Sequence, residues 1–492
     1  MSEEKVISAG RIQRATGWSF AGEIMAKLIT PITNMILARL LAPEIFGIVA
    51  TVNMVVSLSE IFTEAGFQLY LIQHEFADED ELHRYASSAF WVSVLLGLLM
   101  LAGIAAWRDP LAQLVGSPGY GNALMVAAIA IPVTAAISIL SALYRRKLDY
   151  KPLFVRRVLA LIVPLVVTVP LALLDFGVWS LIIGTLAGRV VNLLALLVDR
   201  NYHPQFLCRP GHIVKMAPFC MTTLVSYLLT WATNWIDIFI IGHILGAYYT
   251  GLYKNSQSTV IGILATFTAA LTPVLFSVLC RYADDRQRFS ETMRSFTERI
   301  SLLLLPIGFG MLICRRLVTA VLLGSAWMEA ADFLGIWGLS TCFSAVYASY
   351  PREACRAVGK PYLNVVAQTL SLCVIIPASY YGALAGFDTM IYVRSAAALT
   401  LIFAYAPLLA AFLKLNPLKL FSTTLPALVA SMGMAAVLLV LQRLVAALWF
   451  EAVLVAVGAV CYVAILCLFP KMRKRLLGAL SQILCRVRRR AK

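Results

Sequence analysis

Charge is scarce in this chain. Of 492 residues, 13% are Asp, Glu, Lys or Arg and 61% are hydrophobic. Soluble globular domains carry about 25% charged residues, so a water-facing surface cannot be covered and a soluble fold is excluded. Long polar intervals are also missing, which leaves no room for an extramembrane catalytic domain. The ten cysteines show no metal-ligand spacing. Cys220, Cys314, Cys342, Cys373, Cys461 and Cys467 fall in or beside apolar runs, where thiols act as small hydrophobes, and neither disulfides nor a metal are expected. A Gly-rich phosphate loop ending in Lys-Ser or Lys-Thr is absent, as are a hydrolase elbow, a zinc helix and a Cys/His cluster. The expectation is a protein that is not an enzyme and needs no cofactor. The opening MSEEKVISAGRIQR precedes a run too long and too polar for a signal-peptide core, with no small-residue cleavage site after it.

What the chain does have is about fourteen apolar runs, each near the ~20 residues that a hydrocarbon core ~30 Å thick requires. They span 16–41, 44–72, 85–107, 118–144, 153–174, 176–198, 213–243, 249–279, 296–314, 327–350, 360–382, 387–413, 422–442 and 447–469. The net charge of +16 would raise nucleic acid as a partner in a soluble protein. Here the bases collect at alternate junctions: Arg145, Arg146, Lys147, Lys151, Arg156 and Arg157, then Arg200, Arg209 and Lys215, then Arg281 to Arg299, then Arg352, Arg356 and Lys360. The positive-inside rule makes those junctions, and both termini, cytoplasmic. The tail 471–492 alternates bases with Leu and Ile and reads as an amphipathic helix on the anionic inner leaflet.

The chain also repeats itself. Ala38-Arg39-Leu40-Leu41-Ala42-Pro43-Glu44-Ile45-Phe46-Gly47 is matched by Gly242-His243-Ile244-Leu245-Gly246-Ala247-Tyr248-Tyr249-Thr250-Gly251. Upstream, Glu23, Lys27, Thr30 and Asn34 share a 4-3-4 spacing with Ser226, Thr230, Thr233 and Asp237, which places each set on one helix face. The expected architecture is an all-α integral membrane protein of about 14 transmembrane helices. It comprises two parallel-repeat six-helix bundles around a central cavity plus two C-terminal helices. The divisions are 1–200, 201–415, 416–470 and the basic tail 471–492. Two such bundles can rock to expose a cleft to alternate sides, with Pro31 a candidate hinge in the first crossing.

Lys27 and Arg189 lie near the middle of their crossings, where a base costs ~2.5–3.5 kcal/mol on insertion scales. Both are expected to face a polar cavity, although Glu23, one turn before Lys27, also allows a structural ion pair. Arg189 has only Thr185 and Asn192 on its own face. Arg39, His243, Lys254 and Arg394 lie nearer the outer surface, where snorkelling to the headgroups competes with function. Asp237 and Glu23 are candidate ion-coupling sites, and Glu60 and Glu64 could border the inner opening. Embedded bases outnumber acids, which favours an anionic ligand; the candidate contacts are Lys27, Arg189, Lys254, Arg394 and Arg39.

The stretch Ile36-Leu37-Ala38-Arg39-Leu40-Leu41-Ala42-Pro43-Glu44-Ile45-Phe46-Gly47, followed by Thr63-Glu64-Ala65-Gly66-Phe67 and Leu71-Ile72-Gln73, resembles bacterial polysaccharide exporters. These are the Wzx-type flippases of the multidrug/oligosaccharidyl-lipid/polysaccharide exporter superfamily, here most similar to the colanic-acid-exporter-like branch. Leu322-Leu323-Gly324-Ser325-Ala326-Trp327 and Arg356-Ala357-Val358-Gly359-Lys360-Pro361 fit the same branch. The resemblance implies two six-helix bundles in a V with two extra helices, in a bacterial inner membrane. It implies an undecaprenyl-pyrophosphate-linked oligosaccharide as substrate, carried from the inner to the outer leaflet for surface polysaccharide or lipopolysaccharide. It also implies dealings with a polysaccharide polymerase and other assembly proteins, and none with nucleic acid. Two rivals remain: a multidrug antiporter of the same superfamily, whose cavity should carry aromatics and acids, and a membrane glycan polymerase or ligase, which should carry a large external loop.

Overall fold

The computed structural model describes residues 9–64, 66–198, 205, 209–268, 271–444, 448–470 and 472–473. Among the described residues every regular element is a helix. Among the described residues ten helices are long and apolar enough to cross a membrane by length and composition, and the protein is a multi-pass membrane protein. Two compact units divide the chain, residues 1–269 with 379–387, and residues 270–378 with 388–492. The expected divisions at 200/201 and 415/416 rest on the sequence repeat, whereas these units rest on packing, with α10 and α11 in the first.

The first unit contains α1 (Ala9–Leu40), α2 (Pro43–Glu64), α3 (Phe67–Gln73), α4 (Glu79–Ala106), α5 (Arg108–Leu114), α6 (Gly121–Ala128), α7 (Ala130–Arg146), α8 (Tyr150–Leu173), α9 (Val178–Val198), α10 (Pro210–Leu245) and α11 (Ala247–Thr268). Local chemistry sets several boundaries. The Asp78 carboxylate accepts from Glu81 N at 2.5 Å while the Glu81 carboxylate accepts from Ala77 N at 2.7 Å, a reciprocal cap that starts α4. Gly246, at φ 87°, ends α10 in a conformation that a Cβ would strain, and α11 begins at once.

The repeated turns meet each other. A Cβ on Gly47 would overlap the Ala247 carbonyl oxygen and lie 2.8 Å from Gly251 N; a Cβ on Gly251 would overlap the Pro43 oxygen and lie 3.0 Å from Gly47 N. The two contacts exchange under a two-fold relation that maps Pro43 to Ala247 and Gly47 to Gly251. α1 likewise packs on α11 as α10 packs on α2. Small residues at the crossing let the backbones touch, which is how helices associate where lipid offers no hydrophobic drive. The two aligned sequence motifs thus lie against each other.

Several crossings are less regular than the hydropathy suggests. The run 118–144 is two helices, with the Ile129 N–H bonded to Val126 O at 3.2 Å in a tighter turn. The run 249–279 is α11 followed by α12 (Leu271–Arg281), and 387–413 is likewise two helices. In 327–350, a 3₁₀ turn (Ser325–Ala330) leads into an α-helix (Ala331–Ser344), then a π turn (Ala345–Ser349) and a short helix (Tyr350–Ala357). Pro351 near the start of that last helix has no N–H for the Tyr347 carbonyl, which accounts for the widened turn just before it. By contrast α1 runs unbroken through Pro31, whose ring rests where a Cβ on Gly262 would be 3.1 Å away.

The second unit has its own core, in which Ile313, Met434, Leu438, Leu454 and Tyr462 are buried. Glu451, buried there, accepts from Leu317 N at 2.8 Å and from Gln442 Nε2 at 3.2 Å. A carboxylate from one helix thereby serves the orphan donors that start another. Apart from Met472 and Arg473, the expected amphipathic tail lies outside the described residues.

Candidate functional site

Among the described residues of the first unit, two charged groups contain residues expected at the site. In one, the Arg189 guanidinium on α9 forms an ion pair with the Glu60 carboxylate on α2. Its Nη1 also donates to Thr134 Oγ1 on α7 at 2.7 Å. The Arg189 side chain is 34% exposed and that of Glu60 17%. One turn on, Glu64 Oε2 accepts from Gln68 Nε2 at 3.3 Å, and Gln68 Oε1 accepts from Arg145 Nη1 at 3.3 Å. Glu64 lies within electrostatic reach of Glu60, Arg145 and Arg189. The group is therefore two carboxylates facing two guanidinium groups, assembled from four helices.

In the other cluster Asp237 on α10 is wholly buried. Its Oδ1 accepts from Ile238 N at 2.9 Å and its Oδ2 accepts from the Tyr253 hydroxyl on α11. Lys254, next in sequence to Tyr253, holds its ammonium 4.4 Å from the Trp235 ring centroid and 3.4 Å from Gln257 Oε1, with Asp237 in electrostatic reach. This ties α10 to α11 across the turn at Gly246.

The other expected site residues are scattered. Arg39 is exposed in the last turn of α1. Arg394 belongs to the second unit, 4% exposed and stacked 5.0 Å from the Trp337 ring centroid. The Glu23 and Lys27 side chains lie outside the described residues, so the proposed Glu23–Lys27 pair does too. His243 Nδ1 is 3.0 Å from Leu114 O at the C-terminal end of α10. The hydroxyls of Ser226, Thr230 and Thr233 bond back to carbonyls of their own helix at 3.2, 2.9 and 2.8 Å, a local solution available to polar residues in an apolar setting.

Sequence reasoning singled out Arg189 but not its partners. Glu60 is 129 residues away and Thr134 55 residues away, and nothing on α9 itself points to either. Tyr253 was also missed, because a tyrosine in an apolar run reads as core until its hydroxyl is placed. For Glu60, the available signal was an acid in a membrane crossing that needs a base from somewhere.

Comparison with known proteins agrees with this architecture. Similar chains include the succinoglycan biosynthesis transport protein ExoT of Rhizobium meliloti, 27% identical over 68% of this chain and 67% of that one. The lipopolysaccharide biosynthesis protein WzxC of Escherichia coli is 19% identical over 66% of this chain and 64% of its own length. Among solved structures, the lipid II flippase MurJ in an inward closed conformation superposes with a TM-score of 0.77 at 13% identity, covering 92% of this chain and 98% of MurJ. An inward-facing multidrug resistance MATE family transporter gives 0.57 at 15% identity, over 79% of this chain and 95% of its own. The model of a family described as "Polysaccharide biosynthesis protein" matches residues 36–332, more than half the sequence, and by that match the chain belongs to this family of membrane proteins.

Proposed function

We propose that the chain is an alternating-access flippase that moves an undecaprenyl-pyrophosphate-linked oligosaccharide from the inner to the outer leaflet of a bacterial cytoplasmic membrane. It is a transporter and not an enzyme, with both termini in the cytoplasm. The observation that carries the reading is Arg189, a guanidinium inside a membrane crossing, partly exposed and balanced by Glu60. A pyrophosphate diester carries about two negative charges and must exchange its water for protein donors. Arg189 offers a planar fork suited to phosphate oxygens. In the empty protein Glu60 neutralises that fork, which avoids the ~2.5–3.5 kcal/mol cost of a lone base at this depth. Substrate competes with Glu60 for it, so the site binds an anion without storing an uncompensated charge.

Lys27, in the first crossing where Arg189 is in the sixth, is the second base assigned to the pyrophosphate; Lys254, Arg394 and Arg39 are the further bases assigned to the substrate. Asp237 and Glu23 are the assigned ion-coupling carboxylates, and a polymerase and other assembly proteins are the proposed partners. Moving two negative charges outward against an inside-negative potential is downhill by ~4.6 kcal/mol per 100 mV, twice the ~2.3 of one charge. The membrane potential therefore helps export.

The test is a leaflet-accessibility assay in vesicles holding only this protein and a defined polyprenyl-pyrophosphate oligosaccharide. Glycan should become accessible on the far side, faster with a potential of the favourable sign. No transfer above protein-free vesicles would overturn the reading. The likeness to a multidrug transporter fold supports antiport of drugs as the second reading, and proton-driven uptake of a cationic dye by the same vesicles would establish it.

A further inference from the structure

We propose that an apolar cavity in the second unit holds one acyl chain of an anionic bilayer phospholipid, whose headgroup rests on a basic rim. The cavity measures about 390 Å³, within the ~300–1,000 Å³ of ordinary ligand sites. Its walls come mainly from the helices Arg286–Ile313, Thr400–Phe412 and Pro417–Leu444 and from the π turn Ala345–Ser349. All of its lining residues belong to the second unit, so it shares none with the Arg189 and Asp237 clusters of the first.

The lining suits hydrocarbon. None of the lining residues is charged, and only Thr297 and Tyr347 carry a hydroxyl. Thr424 Oγ1 donates to Phe421 O at 2.7 Å, so in its 2.5 Å contact with Tyr347 the tyrosine hydroxyl is the donor and is already spent. Met293, Val346 and Leu409 are buried and close the floor, whereas Phe403 and Leu418 at the mouth are 75% and 78% exposed. An apolar cavity stays dry and takes apolar guests, and a bilayer supplies them as alkyl chains. The π turn helps to build the space. Val346 and Tyr347 belong to it, Pro351 just beyond it lines the cavity, and the Tyr347 ring lies between those of Phe343 and Phe421 at 6.1 and 5.8 Å. Such widened turns recur at functional sites.

Charge at the rim specifies the headgroup. Lys414 and Lys419, both exposed, flank Leu418 at the mouth. Arg286 Nη2 donates to the Lys414 carbonyl at 2.9 Å, which brings a third base to the same end. The helix Pro417–Leu444 starts there and turns its positive end the same way. Of the acids around the start of the helix Arg286–Ile313, Asp285 pairs with Arg288 at 3.2 Å, Glu291 accepts from Gln287 Nε2 at 3.0 Å, and Asp284 is exposed. Bases at the end of a membrane helix attract anionic headgroups. An apolar cavity and a basic rim are therefore matched by the two ends of one lipid. A peptide in the cavity would bring N–H and C=O groups that this lining cannot serve.

Native mass spectrometry of the full purified chain, titrated with each lipid separately, tests the proposal without any transport step. Dioleoyl phosphatidylglycerol should bind about tenfold or more tightly than dihexanoyl phosphatidylglycerol, which keeps the headgroup and shortens the chains. It should also bind severalfold more tightly than dioleoyl phosphatidylcholine. Ala406→Phe fills the cavity from its wall and should remove the dependence on chain length while the lipid-free protein melts as before. If that variant melts early, Ala406→Leu makes the same test with less added volume. Lys419→Gln should reduce the preference over phosphatidylcholine and leave the chain-length dependence. Arg443→Gln, an equal charge loss in the last turn of the same helix, should change neither. Binding independent of chain length, binding untouched by a well-folded Ala406 variant, or equal effects of Lys419→Gln and Arg443→Gln would each overturn the site. Tighter binding of undecaprenyl phosphate than of phosphatidylglycerol, lost in the Ala406 variants, would overturn the phospholipid as occupant. A failed leaflet-accessibility assay bears on the flippase reading and leaves this result standing.

Discussion

The Arg189 and Asp237 clusters use the same ingredients, an acid and a base in membrane helices, and differ in how they are closed. Arg189 and Glu60 meet across separate helices and stay partly exposed. Asp237 is wholly buried and is served by a backbone N–H and a tyrosine hydroxyl from the adjoining helix. An ion pair open on one side can exchange a partner for a ligand. A carboxylate enclosed by donors can exchange little without moving the helices that hold it. On the proposed reading the open pair is a contact site and the closed carboxylate a structural or coupling element, and variants can break that contrast from either side.

The largest effect is expected at the open cluster. Arg189→Ala should abolish export and leave Glu60 without its base inside the membrane, which should lower protein abundance. Glu60→Gln in the same chain should restore protein abundance but not export. Arg189→Lys should restore part of the export, because a point charge replaces the fork. Abundance is read by immunoblot of membranes and export by surface glycan. Export regained by the Glu60→Gln, Arg189→Ala double variant would assign Arg189 to structure.

Next in size is the axis between the repeats. Gly47→Ala and Gly251→Ala should each lower the melting temperature of the purified protein by several degrees, since the new Cβ meets a backbone oxygen that only a shift of α2 against α11 can clear. The two variants should behave alike if the two-fold relation governs packing. A tolerated Gly47→Ala beside a damaging Gly251→Ala would show that the halves have diverged at their shared surface.

The contact between these turns has a correlate in the sequence, because Pro43 to Gly47 and Ala247 to Gly251 occupy matching places after long helices. All-helical membrane architecture was legible as well, since ~20-residue apolar runs admit no other economical fold in lipid. The count of crossings was less so: hydropathy does not register the break at Ile129 or the π turn before Pro351, where backbone hydrogen bonding changes while the side chains stay apolar. At the site, depth alone exposed Arg189 and Asp237, but their partners come from other helices, and no periodicity encodes which helix becomes a neighbour.

A smaller effect sharpens the closed cluster. Tyr253→Phe removes the hydroxyl that donates to Asp237 and should cost about 1–3 kcal/mol, the range for stranding one buried acceptor. If Asp237 titrates during transport, Asp237→Asn should flatten the pH dependence of export at normal abundance, and Tyr253→Phe should displace that dependence. An unchanged profile in both variants assigns the cluster to structure.

The smallest expected effect belongs to Lys254. Its ammonium rests over Trp235 and reaches Gln257 on its own helix, and a partly desolvated cation–π contact contributes about 0.5–2 kcal/mol. Lys254→Met keeps the length and apolar stem of the side chain while removing the charge, so the melting temperature should fall by only a few degrees. If Lys254 serves chiefly to offset Asp237, then Lys254→Met with Asp237→Asn should be at least as stable as Lys254→Met alone, and glycan export should persist at a reduced rate. If Lys254 instead contacts substrate, Lys254→Met should stop export at full abundance, and neutralising Asp237 should not rescue it. That second outcome would make the closed cluster a ligand site as well, and the contrast with Arg189 would reduce to which helices must move before the base is exposed.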